Sequence, residues 1–265
     1  MVMIILTARG SFADAFLEKY GAEIASSREL SHGEFAQKIS QSEVIIHNAS
    51  TIKPASLETY LQNNFDSTRL IVEKAQLNNA EAHVIVLSSM SILDTSDSKQ
   101  YASVTTMAPY AYSKYLSETY ALKSDLKNVS SVRFSTIFYM DPQKDGLSKL
   151  IYDAVINKLV TIHNEGEALR DFIPLQVLID YIHKITQSKP AGKNIYTISS
   201  GIETSYKSVL DILLRHIPDL KITNEYMENV PQVLSRFHTD DIERLGRIPF
   251  ELEDYIVKYI KKLQK

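Results

Sequence analysis

The chain of 265 residues has no cysteine and no tryptophan, and it contains only 8 glycines and 8 prolines. The absence of cysteine excludes disulfide bonds, thiolate metal sites and a cysteine nucleophile. No apolar run approaches the roughly 20 residues that a membrane-spanning helix requires. The apolar run from Met1 to Leu6 is too short for a signal peptide and lacks a basic flank. We therefore expect a cytoplasmic protein with no membrane partner.

The charge and composition are those of an ordinary globular protein. The net charge is −3, and 44% of the residues are hydrophobic while 23% are charged. Neither half carries a long basic run, which argues against a nucleic-acid partner. The 7 histidines are scattered singly, without the spacing of metal ligands. We expect neither nucleic-acid binding nor a metal site.

Short apolar runs alternate with helical patterns through the first half of the chain. The strand-like runs are residues 3–6, 23–25, 43–47, 83–87 and 130–134, and the helix-like stretches are 12–19, 33–39, 57–77 and 110–123. This alternation predicts an α/β fold, a Rossmann-like doubly wound parallel sheet. Ligands of such sheets bind at the carboxyl ends of the strands, where the strand order reverses.

The second half of the chain is less regular. Helices are predicted over 147–159, 175–187, 205–216 and 252–262, and a strand over 194–198. We expect one compact unit over 1–265. Within it, residues 1–140 form most of the sheet core, and residues 141–265 form mainly a small C-terminal lobe, with some segments returning to the core.

The most informative residues are a tyrosine and a lysine four positions apart. Tyr110 and Lys114 share one face of a predicted helix, so their side chains can converge on one ligand. A nearby ammonium favours the phenolate form of tyrosine. Ser89, at the end of a predicted strand, can orient a substrate hydroxyl or carbonyl. Such a trio performs acid–base chemistry on a carbinol carbon beside a hydride acceptor, although the pair alone also fits an ordinary helix with a surface lysine.

Motifs in a fixed order extend along nearly the whole chain. They are EVIIHNA at 43–49, NFDST at 64–68, VLSS at 86–89, YAYSK at 110–114, VRF at 132–134, GEALRDF at 166–172, ISSG at 198–201 and LGRIP at 245–249. In this order they resemble the extended short-chain dehydrogenase/reductases of the NAD-dependent sugar epimerase/dehydratase family. The resemblance implies that residues 1–140 mainly bind a dinucleotide and that residues 141–265 mainly bind the substrate, with some segments returning to the core.

The resemblance also implies which residues contact the cofactor. They are Thr7, Ala8, Arg9, Gly10, Ser11, Phe12, Ser26, Arg28, His47, Asn48, Ala49, Asn64, Tyr110 and Lys114. The phosphate loop departs from the family pattern, because its three glycines are replaced by Ala8, Ser11 and Asp14. Gly10 can supply the tight turn instead, and Asp14 must then point outward so that its charge does not repel a pyrophosphate.

The end of the second predicted strand bears on the choice of cofactor. Family members that use NAD carry an acidic residue there for the adenosine ribose. Here the segment contains Ser26, Ser27 and Arg28, which suit a 2′-phosphate. We expect NADP or NAD, with NADP slightly favoured. A solvated arginine at the start of the next helix is the alternative role for Arg28.

By resemblance, Tyr110 is the catalytic acid and base, Lys114 binds the nicotinamide ribose, and Ser89 hydrogen-bonds the reacting oxygen of the substrate. Substrate contacts are assigned to Ser89, Thr136, Arg170 and Arg236, with the two arginines binding the diphosphate of a nucleotide sugar.

The helices over 57–77 and 110–123 correspond to the dimer interface of the family, so a homodimer is expected.

Two absences narrow the reaction that the resemblance implies. Met90 and Ser91 stand where dehydratases of the family have an Asp-Glu pair, which argues against 4,6-dehydration. The chain also lacks the cysteine acid of the 3,5-epimerase/reductases. Epimerisation or keto reduction at the 4-position of a nucleotide sugar remains. The alternative is a non-catalytic nucleotide-binding or regulatory member of the same fold, which the lost glycines favour.

Overall fold

A computed structural model describes residues 3–94, 100–228 and 239–265 of the chain. The strands are β1 (Ile4–Leu6), β2 (Glu23–Ile24), β3 (Val44–His47), β4 (His83–Leu87), β5 (Asn128–Phe134), β6 (Thr136–Phe138), β7 (Leu159–His163), β8 (Leu169–Pro174), β9 (Gly192–Ile198), β10 (Glu203–Ser205) and β11 (Lys221–Glu225). The α-helices are α1 (Ser11–Tyr20), α2 (His32–Gln41), α3 (Leu57–Tyr60), α4 (Ser67–Asn78), α5 (Pro109–Lys123), α6 (Gly146–Tyr152), α7 (Leu175–Ser188), α8 (Tyr206–His216), α9 (Asp240–Arg244) and α10 (Leu252–Leu263).

The described residues form two compact units. The first unit comprises residues 3–94, 100–134 and 179–198, and the second comprises 135–178, 199–228 and 239–265. The first unit therefore includes a segment from the second half of the chain, residues 179–198. That segment contains most of α7 and all of β9.

The first unit is built on a six-stranded parallel sheet with the order β2-β1-β3-β4-β5-β9. Every residue of β1, β3 and β4 is buried. Because successive side chains of a strand point to opposite faces, both faces of the sheet are covered. The strand order reverses between β1 and β3, which creates a crevice at the carboxyl ends of the strands. The predicted Rossmann-like fold is confirmed.

The helices of the first unit follow the predicted apolar pattern closely. Helix α5 begins with Pro109, which is suited to the first helical position because it has no N–H to leave unpaired. Helix α2 begins with a capping box, in which Ser31 and Glu34 each bond the backbone N–H of the other. The helix predicted over 57–77 is interrupted, since the six residues Leu61–Asp66 form a π-helical segment between α3 and α4.

The second unit contains two small sheets and its own apolar core. One sheet has the order β10-β8-β6, and β7 pairs in parallel with β11. The core joins residues from β6, β8, α6, α8 and α10, among them Phe138, Ile151, Phe172, Leu213 and Ile260. Each of these side chains is almost completely buried. The helices of this unit are therefore held by packing between elements that are distant in sequence.

The predicted helix over 147–159 extends too far. Helix α6 ends at Tyr152, a π-helical segment covers Asp153–Asn157, and Lys158 adopts a left-handed conformation with φ of 53°. That conformation ends the helical path, and β7 begins at Leu159. In the part of the chain that the structure describes, no helix is long and apolar enough to span a membrane.

Candidate active site

A polar cavity lies at the carboxyl ends of β1, β2 and β3. Its volume is about 230 Å³. Eight of the predicted cofactor residues line it, namely Thr7, Ala8, Arg9, Ser26, Arg28, His47, Asn48 and Ala49. Because these residues follow three neighbouring parallel strands, the sheet brings them together at the point where its strand order reverses.

The loop after β1 makes its turn at Gly10. This residue is the N-cap of α1 and has φ of 134°, a conformation that side-chain-bearing residues rarely adopt. Ser11 and Phe12 begin the helix, and Phe12 packs on Phe16 in the core. Asp14 lies in the first turn and is exposed, as the sequence required. The altered loop therefore keeps a helix N-terminus of the kind that binds phosphate groups.

A reciprocal hydrogen-bonded pair joins the loops after β1 and β3. The backbone N–H of Ala8 donates to Oδ1 of Asn48 over 3.0 Å, and Nδ2 of Asn48 donates to the carbonyl oxygen of Ala8 over 2.8 Å. Asn48 therefore holds the phosphate loop in place from the neighbouring strand. This contact joins residues 40 positions apart in the sequence.

Two arginines line the cavity, and they differ in how their charges are balanced. Nε of Arg9 lies 3.1 Å from both carboxylate oxygens of Glu29. Nη2 of Arg28 donates to Oδ1 of Asn63 over 2.9 Å, and a neutral amide orients a guanidinium without cancelling its charge. Among the described residues, no carboxylate forms an ion pair with Arg28. Ser26 Oγ accepts from the backbone N–H of Arg28 over 3.3 Å.

His47 is a buried, neutral residue at the end of β3. Its Nδ1 lies 2.8 Å from Thr7 Oγ1, and its Nε2 lies 3.4 Å from Ser67 Oγ. Ser67 Oγ donates to the carbonyl oxygen of Asn63 over 2.6 Å, so it can accept from the imidazole. Burial, followed by the charge of Lys114, lowers the pKa of His47 to about 3. The ring therefore links β1 to α4 without carrying charge.

Tyr110 lies in the first turn of α5 and is flanked by two serine hydroxyls. Its ring meets that of Tyr60 edge-on, with 5.8 Å between the ring centroids. Burial raises the pKa of Tyr110 above its ordinary value, while hydrogen bonding to Ser89 and Ser50 opposes this rise. The phenol form is favoured in the protein without ligand, which is the reverse of the shift that a nearby ammonium alone would produce.

Ser89 lies just beyond the carboxyl end of β4 and is half-buried. Its Oγ accepts from the backbone N–H of Ser91 over 3.2 Å and lies 2.9 Å from Ser91 Oγ. Its neighbour Ser88 is buried. Of these three serines, Ser89 is the one whose hydroxyl acts on Tyr110.

Lys114 is almost completely buried on the same face of α5. Its Nζ donates to the carbonyl oxygen of Leu87, the last residue of β4. Burial lowers the pKa of Lys114 to about 8, and the negative charge of Glu118 opposes this shift. The ammonium is therefore fixed against the end of the strand that leads to Ser89.

Asn64, in the π-helical segment, ties α5 to the loop after β3. Its Oδ1 accepts from the backbone N–H of Thr51 over 2.7 Å and from Ser50 Oγ over 3.3 Å. Its Nδ2 donates to Ser113 Oγ over 2.9 Å and to the carbonyl oxygen of Thr51 over 3.3 Å. With its amide engaged by these protein groups, Asn64 positions the loop that carries Ser50 beside Tyr110.

Sequence reasoning missed several residues of this site. Ser50 affects the pKa of Tyr110, and Ser67 Oγ lies 3.4 Å from His47 Nε2. Neither serine belongs to a recognisable sequence motif. Glu118 and Arg133 form a buried ion pair beside Lys114. The spacing of Tyr110, Lys114 and Glu118, each four residues apart, was the signal that could have revealed the carboxylate.

The predicted substrate residues Thr136 and Arg170 lie in the second unit. Thr136 is the exposed first residue of β6. Arg170 is half-buried on β8, and its Nη1 donates to the carbonyl oxygen of Leu169 over 2.7 Å. The adjacent Asp171 is buried and accepts from the backbone N–H groups of Ser200 and Gly201 over 2.9 and 2.7 Å. Arg236, the remaining predicted substrate residue, lies outside the described residues.

The residues of the cavity fit a dinucleotide cofactor. The N-terminus of α1 has no side-chain cap, and its glycine N-cap leaves room for a phosphate group to approach the backbone. Serine hydroxyls and Arg28 stand at the end of β2, where the adenosine ribose is read in such folds. Within the described residues, no cluster of three or more histidine, aspartate or glutamate side chains could hold a metal ion.

Residues 4–199 match the sequence profile of the NAD dependent epimerase/dehydratase family. The chain belongs to this family. The match includes the cavity residues, Ser89, Tyr110 and Lys114, so the family resemblance inferred from the motifs is confirmed. The comparison with curated protein sequences gave no match.

Solved structures with the same fold include both dehydratases and epimerases. TunA, an NAD-dependent NDP-hexosamine 5,6-dehydratase of tunicamycin biosynthesis, is 17% identical with a TM-score of 0.81, and the match covers 100% of this chain and 98% of TunA. MoeE5, solved with UDP-glucose and NAD, is 18% identical with a TM-score of 0.80 over 100% of this chain and 99% of MoeE5. The UDP-glucose 4-epimerase of Thermotoga maritima is 18% identical with a TM-score of 0.75, covering 100% of both chains. At such low identity these similarities establish the fold.

Proposed function

We propose that this protein is an NAD(P)-dependent oxidoreductase or epimerase that acts on the 4-position of a nucleotide-activated sugar. The observation that carries the proposal is the assembly of Ser89, Tyr110 and Lys114 at the end of β4, near the polar cavity of about 230 Å³ that predicted cofactor residues line. Two cavity residues interact electrostatically with this trio. The Ser50 hydroxyl opposes the rise of the pKa of Tyr110 that burial causes, and the charge of Lys114 contributes to lowering the pKa of His47.

The trio supplies the proton chemistry of the reaction. When bound, the nicotinamide cofactor accepts or returns a hydride at the sugar carbon. Tyr110 takes the proton of the sugar hydroxyl as that carbon is oxidised, and it gives the proton back when the carbonyl is reduced. Ser89 donates a hydrogen bond to the same oxygen. The positive charge of Lys114 stabilises the phenolate of Tyr110 while the proton is away.

We propose that the cofactor is NADP in preference to NAD. Arg28 carries an uncancelled positive charge at the end of β2, and the hydroxyls of Ser26 and Ser27 accompany it on the cavity wall. A guanidinium and hydroxyls suit a 2′-phosphate, whereas the charge of Arg9 is already balanced by Glu29. NAD is the alternative, as the description of the family indicates.

On the substrate side, we propose that Thr136, Arg170 and Arg236 contact the nucleotide sugar, with the arginines at its diphosphate. We further propose that the protein works in the cytoplasm as a homodimer through the helical stretches 57–77 and 110–123, which contain α3, the π-helical segment, most of α4 and most of α5. Leu77 supports this assembly, because it lies on α4 with 77% of its surface exposed. Light scattering after gel filtration measures the mass of the assembly, and a monomer at micromolar concentration would contradict the homodimer.

The function is tested by supplying UDP-, dTDP- and GDP-hexoses, and their 4-keto derivatives, together with NADP or NAD in oxidised or reduced form. NMR spectroscopy then identifies the product. Inversion at the 4-position without net use of cofactor identifies an epimerase, and reduction of a 4-keto sugar with stoichiometric loss of NADPH identifies a reductase. If the protein binds these cofactors and sugars but turns none over, it is the non-catalytic member of the fold instead.

A further inference from the structure

A buried carboxylate lies one helical turn beyond Lys114. Glu118 follows Lys114 by four residues on α5, so both side chains lie on one face of the helix. The side chain of Glu118 has an exposed fraction of 0%. A carboxylate in such surroundings is costly unless several donors hold it.

Three residues provide those donors. Arg133 approaches Glu118 Oε1 with Nη2 at 2.5 Å, and its Nε lies 3.1 Å from both carboxylate oxygens. Ser131 Oγ donates to Oε2 over 2.6 Å, and the Tyr101 hydroxyl donates to Oε1 over 2.7 Å. Burial alone would raise the pKa of Glu118, but the contacts with Arg133, Ser131 and Tyr101 outweigh it and lower the pKa. Glu118 is therefore ionised at neutral pH.

The Lys114 ammonium makes its hydrogen bond to a group other than Glu118. Because Arg133 and two hydroxyls occupy both oxygens of Glu118, the Lys114 ammonium does not close onto the carboxylate. Its Nζ donates instead to the carbonyl oxygen of Leu87. This places the ammonium at the end of β4, two residues before Ser89.

The charges of the buried group favour a protonated lysine. Lys114 and Arg133 contribute two positive charges and Glu118 one negative charge, which leaves one positive charge to balance a phenolate at Tyr110. Without Glu118, the buried ammonium of Lys114 would lose the negative charge that opposes its deprotonation. Lysine, unlike arginine, can release a proton. Among the described groups, His47 from β3 also interacts with Lys114, and it is neutral.

We propose that Glu118, held by Arg133, is a positioning residue that keeps the Lys114 ammonium protonated where it donates to the carbonyl oxygen of Leu87. The proposal rests on the proposed function and deepens it, since Lys114 serves the proton chemistry of Tyr110. A buried ion pair is weak evidence of a purely stabilising role, because replacing such a pair with well-packed apolar residues of similar volume is often neutral or stabilising.

The test is an NMR titration of lysine-labelled protein without any ligand. The side-chain carbon signal of Lys114 is assigned by its loss in Lys114→Met, and its midpoint is expected near pH 8. In Glu118→Gln the midpoint is expected to fall by about one pH unit or more. In Glu73→Gln, a control on α4 whose carboxylate is exposed and bonded to Tyr120, the midpoint is expected to stay the same.

An unchanged midpoint in Glu118→Gln that still melts cooperatively would overturn the proposal. Should that variant fail to fold, the double variant Glu118→Gln/Arg133→Met removes the unpaired guanidinium as well. Because Glu118 is the charge that acts on Lys114, the midpoint must fall there too, and an unchanged value overturns the proposal. The titration needs neither cofactor nor sugar, so its outcome is independent of whether the proposed reaction is found.

Discussion

Replacing Tyr110 by phenylalanine separates the chemistry of the site from its architecture. The hydroxyls beside Tyr110 have other partners, since Ser50 lies 3.3 Å from Asn64 Oδ1 and Ser89 lies 2.9 Å from Ser91 Oγ. Removing the phenol oxygen therefore leaves no buried group without a hydrogen bond. We expect the free energy of unfolding to change by no more than about 1 kcal/mol.

Turnover, in contrast, is expected to fall by about 10² to 10⁴, the usual contribution of a general acid–base group. This corresponds to about 3 to 5 kcal/mol of transition-state stabilisation. The assay is kcat/KM with the nucleotide sugar, together with denaturant unfolding followed by circular dichroism. Tyr112→Phe is the matched control, because Tyr112 lies two residues further on and faces another side of α5. Near-normal turnover in Tyr110→Phe would refute the assignment of the catalytic acid and base.

Three further outcomes are expected. Arg28→Ala should weaken NADPH binding about tenfold or more while leaving NADH binding unchanged. Arg9→Ala, the control, should change the affinities for NADPH and NADH equally. Equal losses of NADPH and NADH affinity in Arg28→Ala would contradict 2′-phosphate recognition. Because the pKa of His47 is about 3 when folded and 6.5 ordinarily, the unfolded chain binds more protons between these values. As the pH is lowered from 6.5, the free energy of unfolding should therefore decrease by up to about 1.4 kcal/mol per pH unit. Urea titrations should show a smaller decrease per pH unit in His47→Asn. Gly10→Ala should cost about 1 to 3 kcal/mol in thermal melts because of its φ of 134°. Gly33→Ala, in helix α2 with an ordinary φ and open space around it, should be neutral or slightly stabilising.

The sheet of the first unit could be predicted from sequence because its strands are apolar throughout and its helices are periodic. The predicted strand over 83–87 coincides with β4, and the helix predicted over 110–123 differs from α5 by one residue. In the second unit this signal is weak. All five residues of β11 are exposed, and exposed and buried residues alternate along β7. Neither strand therefore has a continuous apolar run that the sequence pattern could reveal.

The sequence could predict only those residues of the candidate site that belong to recognisable motifs. Gathering Tyr110, Lys114 and Ser89 requires only helical spacing and a strand end. The supporting contacts depend on tertiary packing, as between Ala8 and Asn48, which are 40 residues apart. The pKa of Tyr110 illustrates the limit, because its rise is caused by burial, which a motif does not reveal.

The central claim is that the cavity after β1, β2 and β3 binds a nicotinamide dinucleotide despite its altered phosphate loop. The most direct test is a titration of the purified protein with NADPH and with NADH, following nicotinamide fluorescence. The chain contains no tryptophan, so the protein background is low. We expect saturable binding of at least one of them, with NADPH the tighter. No binding of either at about 1 mM, which means a binding free energy weaker than about −4 kcal/mol, would contradict it.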